Sequence, residues 1–457
     1  MSTDLTQMDS SWAWAPYQPD AKRPWSRALA AHLYRRAGFG PTAADLYVAA
    51  KAGPAATLDR LCSPPPSPDF EQSVATLAER TAAGGSPQQL PAWWLFRMQG
   101  TPDPLLEKLT LFWHGHFATS AAKVDKPRLM LAQNELLRAH ARGRFEDLVR
   151  AISRDPAMLI YLDSTSNRRI RPNENYAREL MELFCLGVGN YTEHDIKEVA
   201  RAFTGWELRA DQFAFNHIQH DTGTKSFLGS TGNFDGDDAV RVILAQPAAP
   251  RFIARKLIRF FVFDEPAAPD ALVEPLAQEL RDNDFQIAPA VRRLLGSNLF
   301  FCEASVGRKV KSPVELCVGL LRALGATTNL VKAAQGLSEL GQGLFFPPNV
   351  KGWDGGRAWI NSSTLLGRAN FVVRTLLAGE TRFQHGGLAG TLASAGATAP
   401  DATVDWLLDL LVAVPVPGEA RTALVALVKG RDGPGERDRA LNDVVHAIST
   451  LPEFQLT

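Results

Sequence analysis

The sequence has few cysteines and lacks any long apolar run. Four of its 457 residues are cysteines (Cys62, Cys185, Cys302 and Cys317), and none of them forms a Cys-x-x-Cys pair. Such a low density in so long a chain argues against a disulfide framework, so we expect free thiols. No apolar stretch approaches the roughly 20 residues that a membrane-spanning helix requires. The composition therefore predicts a chain without a membrane span.

The sequence also lacks an excess of charge of either sign. Lys plus Arg and Asp plus Glu both number 49, so the formal net charge is zero. Nucleic-acid-binding proteins usually carry a basic excess, so we expect no nucleic-acid partner. Residues 1–24 have neither the basic start nor the apolar centre of a secretory signal. Taken alone, these features predict a cytoplasmic protein.

The common catalytic motifs are missing as well. The sequence contains no Gly-x-Ser-x-Gly elbow, no phosphate-binding Walker motif, no dinucleotide fingerprint after a strand and no His-Glu-x-x-His. The acidic run at residues 235–238 does not have the ligand spacing of a calcium-binding loop. No single motif therefore determines a reaction.

The patterning that is present predicts a mainly α fold. Hydrophobic residues make up 45% of the chain and recur mostly at helical spacing. Alternation near residues 206–228 predicts one small β-hairpin element. We expect a flexible N-terminal lead over residues 1–24 and one large mainly helical unit over 25–457. That unit can be divided into two lobes, 25–245 with the candidate site and 246–457 with an irregular loop at 341–361.

Four further segments can be assigned from local sequence signals. Residues 104–114 are predicted to form a helix that ends at Gly115. A second helix is predicted to begin at Asn173, as N-cap, and to end at Gly187. Residues 341–361 are predicted to be irregular and to cover a cleft, and residues 385–400 to form a Gly/Ala-rich linker.

Two histidines two residues apart form the first candidate motif, Phe-Trp-His-Gly-His-Phe. His114 and His116 would point about 200° apart in a regular helix, so a shared metal requires Gly115 to break the helix. The alternative is that both rings pack against the neighbouring Trp113 and Phe117.

The second candidate motif is an acidic helix face. On a wheel of about 100° per residue, Glu174, Arg178, Glu179 and Glu182 share one arc. The simplest interpretation is a solvent-exposed face with a Glu174–Arg178 ion pair. The absence of lysine and the position of Cys185 inside the same arc favour a polar cavity instead.

His220 and Asp221 form a third candidate pair. They precede Thr-Gly-Thr-Lys in a predicted turn, where a rigid scaffold can direct side chains toward a site. His220 would supply a further metal ligand, and Asp221 would hold a ligating histidine in position.

Several stretches together resemble an uncharacterised bacterial family, domain of unknown function 1800. The resemblance covers nearly the whole chain and is carried by residues 32–40, 111–120, 171–190, 191–206, 220–229, 348–361 and 451–456. It implies no particular activity. It does imply a possible partner, because family members are often exported and encoded beside an alkaline-phosphatase-like protein. On that basis, periplasmic export with such a partner is the alternative to a cytoplasmic location.

These observations lead to a metal-dependent enzyme, a hydrolase or an oxidoreductase, as the first hypothesis. A histidine and carboxylate set suits Fe, Mn or Zn. The predicted metal ligands are His114, His116, Glu179, Glu182 and His220, and the predicted catalytic residues are Arg178, Asp221 and Glu174. The second hypothesis is a non-catalytic helical scaffold or export partner. A third is a saccharide- or peptide-binding module that uses Trp353, Trp359 and Asn361.

Overall fold

Helices account for most of the fold. The computed structural model describes residues 5–431, 433 and 435–457. Helices dominate this part of the chain, and its strands form only short antiparallel pairs. The predicted mainly α fold class is confirmed.

The first half of the chain contributes twelve helices among the described residues. They are α1 Ser10–Trp14, α2 Arg27–Ala37, α3 Ala43–Cys62, α4 Pro68–Ala83, α5 Leu90–Gly100, α6 Pro104–His116, α7 Ala121–Val124, α8 Pro127–His140, α9 Phe145–Ser153, α10 Pro156–Tyr161, α11 Asn175–Glu179 and α12 Glu193–Ala202.

The second half continues in the same way. Its described helices are α13 Gly236–Leu244, α14 Ala248–Phe261, α15 Asp270–Asp282, α16 Ile287–Gly296, α17 Pro313–Leu324, α18 Leu330–Glu339, α19 Ser362–Leu377, α20 Leu388–Ser394, α21 Pro400–Leu411, α22 Gly418–Val428 and α23 Glu436–Thr450.

The strands form three two-stranded antiparallel sheets in the described part of the chain. The pairs are β1 Trp206–Arg209 with β2 Gln212–Phe215, β3 Lys225–Phe227 with β4 Ser230–Gly232, and β5 Ala326–Thr327 with β6 Arg382–Phe383. The predicted β element near residues 206–228 is therefore present, as two hairpins in succession.

Capping residues explain why several helices begin where they do. The Thr42 hydroxyl accepts a hydrogen bond from the backbone N–H of Asp45, whose carboxylate accepts one from the N–H of Thr42. Thr192 and Asp195 form the same reciprocal pair at the start of α12. Each pair satisfies two N–H groups that have no partner within the helix.

Two predicted breaks are instead helical. Helix α6 continues through Gly115 to His116, and Phe117 is its C-cap. A glycine in the last turn of a helix costs up to roughly 1 kcal/mol, which the burial of Trp113 and Phe117, two residues away on either side, offsets. The predicted linker at residues 385–400 contains helix α20, with Leu388 and Leu392 buried.

The start of the chain packs against helix α15. Residues 1–4 lie outside the described residues. The Trp14 indole N–H donates to the backbone carbonyl of Leu272 at 3.0 Å, and Trp14 and Tyr17 are buried. The described part of the segment predicted as a flexible lead is thus attached to the core. The division of residues 25–457 into two lobes stays a prediction.

The acidic segment contains a π-helical turn. Asn173 accepts a hydrogen bond from the backbone N–H of Asn175, where α11 begins, and the π-helical turn Leu180–Cys185 follows α11 directly. The N–H of Leu186 bonds to the carbonyl of Met181, five residues earlier. Such turns often occur at functional sites. Here the turn brings the carbonyls of Leu183 and Phe184 within reach of side chains from two other helices.

Within residues 5–431, 433 and 435–457, no helix combines the length and the apolar character that a bilayer crossing requires.

Candidate functional site

His114 is packed inside the protein. Its Nε2 accepts a hydrogen bond from the backbone N–H of Phe345 at 3.1 Å. Its ring centre lies 5.0 Å from that of Trp94 and 5.7 Å from that of Trp353. Burial lowers the pKa of His114 to about 3. The ring is therefore neutral and packs among aromatic side chains.

His116 points to a different neighbour. Its Nε2–H donates to the carbonyl of Phe184 at 3.0 Å, and its Nδ1 accepts from the Lys256 amine at 3.0 Å. Burial, and then the charge of Lys256, hold the pKa of His116 well below its usual value. Both ring nitrogens are thus engaged, and the hydrogen bond to Phe184 determines the tautomer.

The acidic face of the 174–182 segment forms ion pairs near the surface. Arg178 donates two hydrogen bonds of 2.8 Å to Glu193 and a weaker one of 3.3 Å to Glu174. Glu182 accepts from the Tyr191 hydroxyl at 2.6 Å. Burial and the nearby Glu182 raise the pKa of Glu179. The Glu174–Arg178 pair matches the simpler interpretation of this face.

His220 and Asp221 belong to a separate network beside the β hairpins. The Nδ1–H of His220 donates to the carbonyl of Thr204 at 2.9 Å. The Asp221 carboxylate accepts two hydrogen bonds from Arg201, at 2.7 and 3.2 Å, and Arg201 also binds Glu198. These contacts hold the turn against helix α12.

The structure therefore brings His116 to the 174–185 segment, but through that segment's backbone and not through its glutamates. The two histidines diverge because helix α6 is continuous through Gly115. Among the described residues, no three His, Cys, Asp or Glu side chains are grouped so that they could hold a metal ion. The predicted metal site stays a prediction.

A cavity of about 240 Å³ adjoins His116. It lies between helix α6, helix α14 and the irregular loop after α18. Apolar and aromatic side chains form much of its wall: Leu111, Phe112, Phe260, Trp353 and Trp359. Gly115 and His116 of α6 adjoin them, and the charged groups of the wall are Lys256, Arg259, Asp264, Lys309, Glu315, Lys351 and Asp354.

Lys256 is the polar centre of this cavity. Its amine donates to the carbonyl of Leu183 at 2.9 Å and to Nδ1 of His116 at 3.0 Å. The amine also lies 4.7 Å from the ring centre of Phe252, one turn earlier on α14. Burial lowers the pKa of Lys256 to about 8, and Arg259 and Lys351 act in the same direction.

The carboxylates that line the cavity are each paired with another lysine. Asp264 accepts from Lys309 at 2.6 Å, and Asp354 accepts from Lys351 at 3.0 Å. Glu315 binds Lys108.

Two cations of the cavity remain without such a partner. In the part of the chain that the structure describes, no carboxylate forms an ion pair with Lys256 or Arg259. The guanidinium of Arg259 donates instead to the backbone carbonyl of Asp354, at 2.7 Å.

A family model described as "Protein of unknown function (DUF1800)" matches residues 32–456. The chain belongs to this family. The resemblance seen in the sequence is confirmed, and every residue of the cavity lies inside the matched region. Comparison with curated proteins and with solved structures gave no match.

The loop predicted to cover a cleft lines this cavity. Trp353, Asp354, Gly355 and Trp359 all contribute to its wall, whereas Glu179 does not. The loop rests on helix α6, because a Cβ added to Gly352 would lie 2.4 Å from the carbonyl oxygen of Gly115. The loop therefore covers a cavity beside His116, but not beside the acidic face of the 174–182 segment, where it was also expected.

Replacing each of the two glycines at this contact by alanine is expected to change the free energy of unfolding in opposite directions. Gly352 has φ +81° and meets a backbone oxygen, so Gly352→Ala should lower the free energy of unfolding by roughly 1–3 kcal/mol. A Cβ at Gly115 meets nothing within 4 Å, so Gly115→Ala in the last turn of α6 should raise the free energy of unfolding by up to about 0.5–1 kcal/mol. Urea unfolding of both variants tests this, and an equal loss in both would contradict the close approach.

Lys256 and Arg259 were missed in the sequence. One signal was available: Lys256 lies four residues after Phe252 and four before Phe260, so one turn on either side of it is aromatic. A lysine between two phenylalanines on one helix face has little access to water. These aromatic neighbours distinguish Lys256 from the exposed Arg251 and Arg255 of the same helix.

Proposed function

We propose that the protein binds a small organic anion in the cavity under the 350–359 loop, with Lys256 and Arg259 as its charged contacts. The observation that carries the proposal is the charge pattern: the other lysines of the cavity have carboxylate partners, and these two cations do not. Lys256 is partly buried, where a cation without an anion is costly, and Arg259 is exposed one turn further along the helix. A carboxylate or phosphate group on a ligand would supply the anion.

The rest of the wall defines the ligand's other half. Phe112, Phe260, Trp353 and Trp359 give the cavity an apolar, aromatic lining, which suits a ligand with a flat apolar body. The buried indole N–H of Trp353 has no acceptor among the described residues. An unpaired buried donor is unfavourable, so a ligand oxygen within its reach would add stability.

The hypotheses drawn from the sequence remain predictions. A metal-dependent enzyme is tested by metal analysis of the purified protein. A non-catalytic scaffold or export partner is tested by co-purification with the alkaline-phosphatase-like protein that the family resemblance implies. The anion site is independent of both, because it depends on two cations and an apolar cavity.

Calorimetric titration with phenyllactate tests the anion site, since this probe joins a carboxylate to a phenyl ring. We expect Lys256→Met to weaken binding by about tenfold or more, because a hydrogen bond to a charged group contributes roughly 1.5–3 kcal/mol. The matched control is Lys351→Met, at the same cavity but exposed and paired with Asp354, for which less than a threefold change is expected.

Two results would contradict the proposal. One is a failure of the wild-type protein to bind phenyllactate and phenyl phosphate at millimolar concentration. The other is an equal effect of the two lysine substitutions. The neutral alcohol 2-phenylethanol should bind more weakly than either anion, which separates charge recognition from simple apolar binding.

A further inference from the structure

The Lys256 amine has the hydrogen-bond arrangement of an attacking nucleophile. We propose that Lys256 forms an imine with the aldehyde or ketone group of an anionic ligand. The proposal rests on the anion site above and adds a chemical step to it. The ligand class is then a small carbonyl acid, with an anionic group for Arg259 and a carbonyl carbon for Lys256.

The directions around the Lys256 amine nitrogen follow from its two hydrogen-bond acceptors. A neutral primary amine has two N–H bonds and one lone pair. The two acceptors near Lys256 are the Leu183 carbonyl at 2.9 Å and Nδ1 of His116 at 3.0 Å. When both N–H groups are donated to them, the lone pair occupies the remaining direction. Lys256 lines the cavity, and we infer that this direction faces the space where a ligand would lie.

Both acceptors are held in place by the fold. The Nε2–H of His116 donates to the Phe184 carbonyl, so the ring presents the Nδ1 lone pair to Lys256. Leu183 and Phe184 are adjacent in the π-helical turn, so one short segment orients both the amine and the imidazole. A nucleophile whose hydrogen-bond partners are themselves held in place is a recurring feature of covalent catalysts.

The other lysines of the cavity lack this arrangement. Lys309 is paired with the Asp264 carboxylate at 2.6 Å, and Lys351 with Asp354 at 3.0 Å. A carboxylate partner favours the charged ammonium, which has no lone pair. Lys256 has two neutral acceptors instead, so it is the amine in this cavity that is free to attack.

The step is balanced without a further reactant. The nitrogen lone pair forms a bond to the carbonyl carbon, and the C=O π electrons move to oxygen. The amine then gives up both of its hydrogens, and the oxygen leaves with them as water while the C=N bond forms. Nδ1 of His116 accepts the hydrogen bond of one of these N–H groups before the step.

Reductive trapping tests the proposal on the full-length protein. The protein is incubated with phenylpyruvate and sodium cyanoborohydride, digested, and mapped by mass spectrometry. We expect an adduct on Lys256 with the mass of the probe minus one oxygen atom. Its yield should exceed that on Lys309, in the same cavity, and on the exposed Lys332 by at least tenfold. These comparisons within wild-type protein need no variant.

The outcomes separate the two proposals. Adduct on Lys256 that is lost in Lys256→Arg, which keeps the positive charge, supports the imine. Labelling of Lys256 no greater than that of Lys309 and Lys332 overturns it. If Lys256 is not labelled selectively but phenyllactate, which has no ketone to trap, still binds through Lys256, the anion site is supported and the imine is not. If phenyllactate does not bind and no Lys256 adduct forms, both proposals fail.

Discussion

Glu107→Gln is expected to lower the free energy of unfolding by roughly 3–5 kcal/mol, the cost of breaking a buried ion pair. Glu107 is fully buried on helix α6. Its carboxylate accepts from Nε of Arg97 and Nε of Arg138, both at 2.6 Å, and from the Trp94 indole at 2.8 Å. One side chain therefore connects helices α5, α6 and α8.

The reason for the large effect is the two guanidinium groups that would lose their anion. Burial by itself would raise the pKa of Glu107, but the charges and hydrogen bonds of Arg138 and Arg97 outweigh the effect of burial and lower the pKa to about 2. The carboxylate is thus charged at every ordinary pH. Glutamine keeps the shape of the side chain but leaves Arg97 and Arg138 buried with less compensation.

Urea unfolding measures this effect, and Glu71→Gln is the matched control. Glu71 binds Nη2 of the same Arg97 guanidinium at 2.8 Å, but its side chain is 51% exposed. Solvent screens that pair, so a loss below about 1 kcal/mol is expected. Similar losses in the two variants would show that burial of Glu107 does not determine the strength of the cluster.

Asp155→Asn is expected to stabilise the protein at pH 7.5 by roughly 1–3 kcal/mol. Asp155 is the buried N-cap of α10, and one carboxylate oxygen accepts from the backbone of Met158 and the amide of Gln133. Burial raises its pKa to about 6. Asparagine retains a capping oxygen and removes the charge.

The sign of the pH dependence follows from the raised pKa. The folded protein binds the Asp155 proton more tightly than the unfolded chain does. This contribution to stability is therefore full below about pH 4, the ordinary pKa of aspartate, and is lost as the pH rises through about 6. The stability of Asp155→Asn relative to wild type should increase over that interval. Urea midpoints of both proteins at pH 4, 6 and 7.5 measure it, and a difference independent of pH would contradict the assignment.

Local signals in the sequence predicted much of the secondary structure. Thr42 with Asp45 and Thr192 with Asp195 identify helix starts because each pair makes its hydrogen bonds within one turn. The β element near residues 206–228 was visible for a similar reason, because strand alternation is a short-range pattern. The prediction that Gly115 ends helix α6 was wrong, because whether a glycine ends a helix depends on how its neighbours pack.

The candidate site was predicted only in part. His116 and the 341–361 loop do meet at one cavity, as expected from their polar and irregular character. The acidic face of the 174–182 segment was expected at the same place. It pairs with Arg178 and Tyr191 near the surface instead, while the backbone of the same segment meets His116.

The sequence by itself determined the mainly α fold class, the family and the loop over the cavity, since each depends on patterns between neighbouring residues. The tertiary structure alone decided which groups share a site. Lys256 is 140 residues from His116 in the sequence. It differs from the other lysines of the cavity because its amine donates to a backbone carbonyl oxygen and an imidazole nitrogen, both neutral, and to no carboxylate. Those partners come from helix α6 and the π-helical turn. Their arrangement arises only when the distant segments pack, because hydrogen bonding and desolvation depend on position in space.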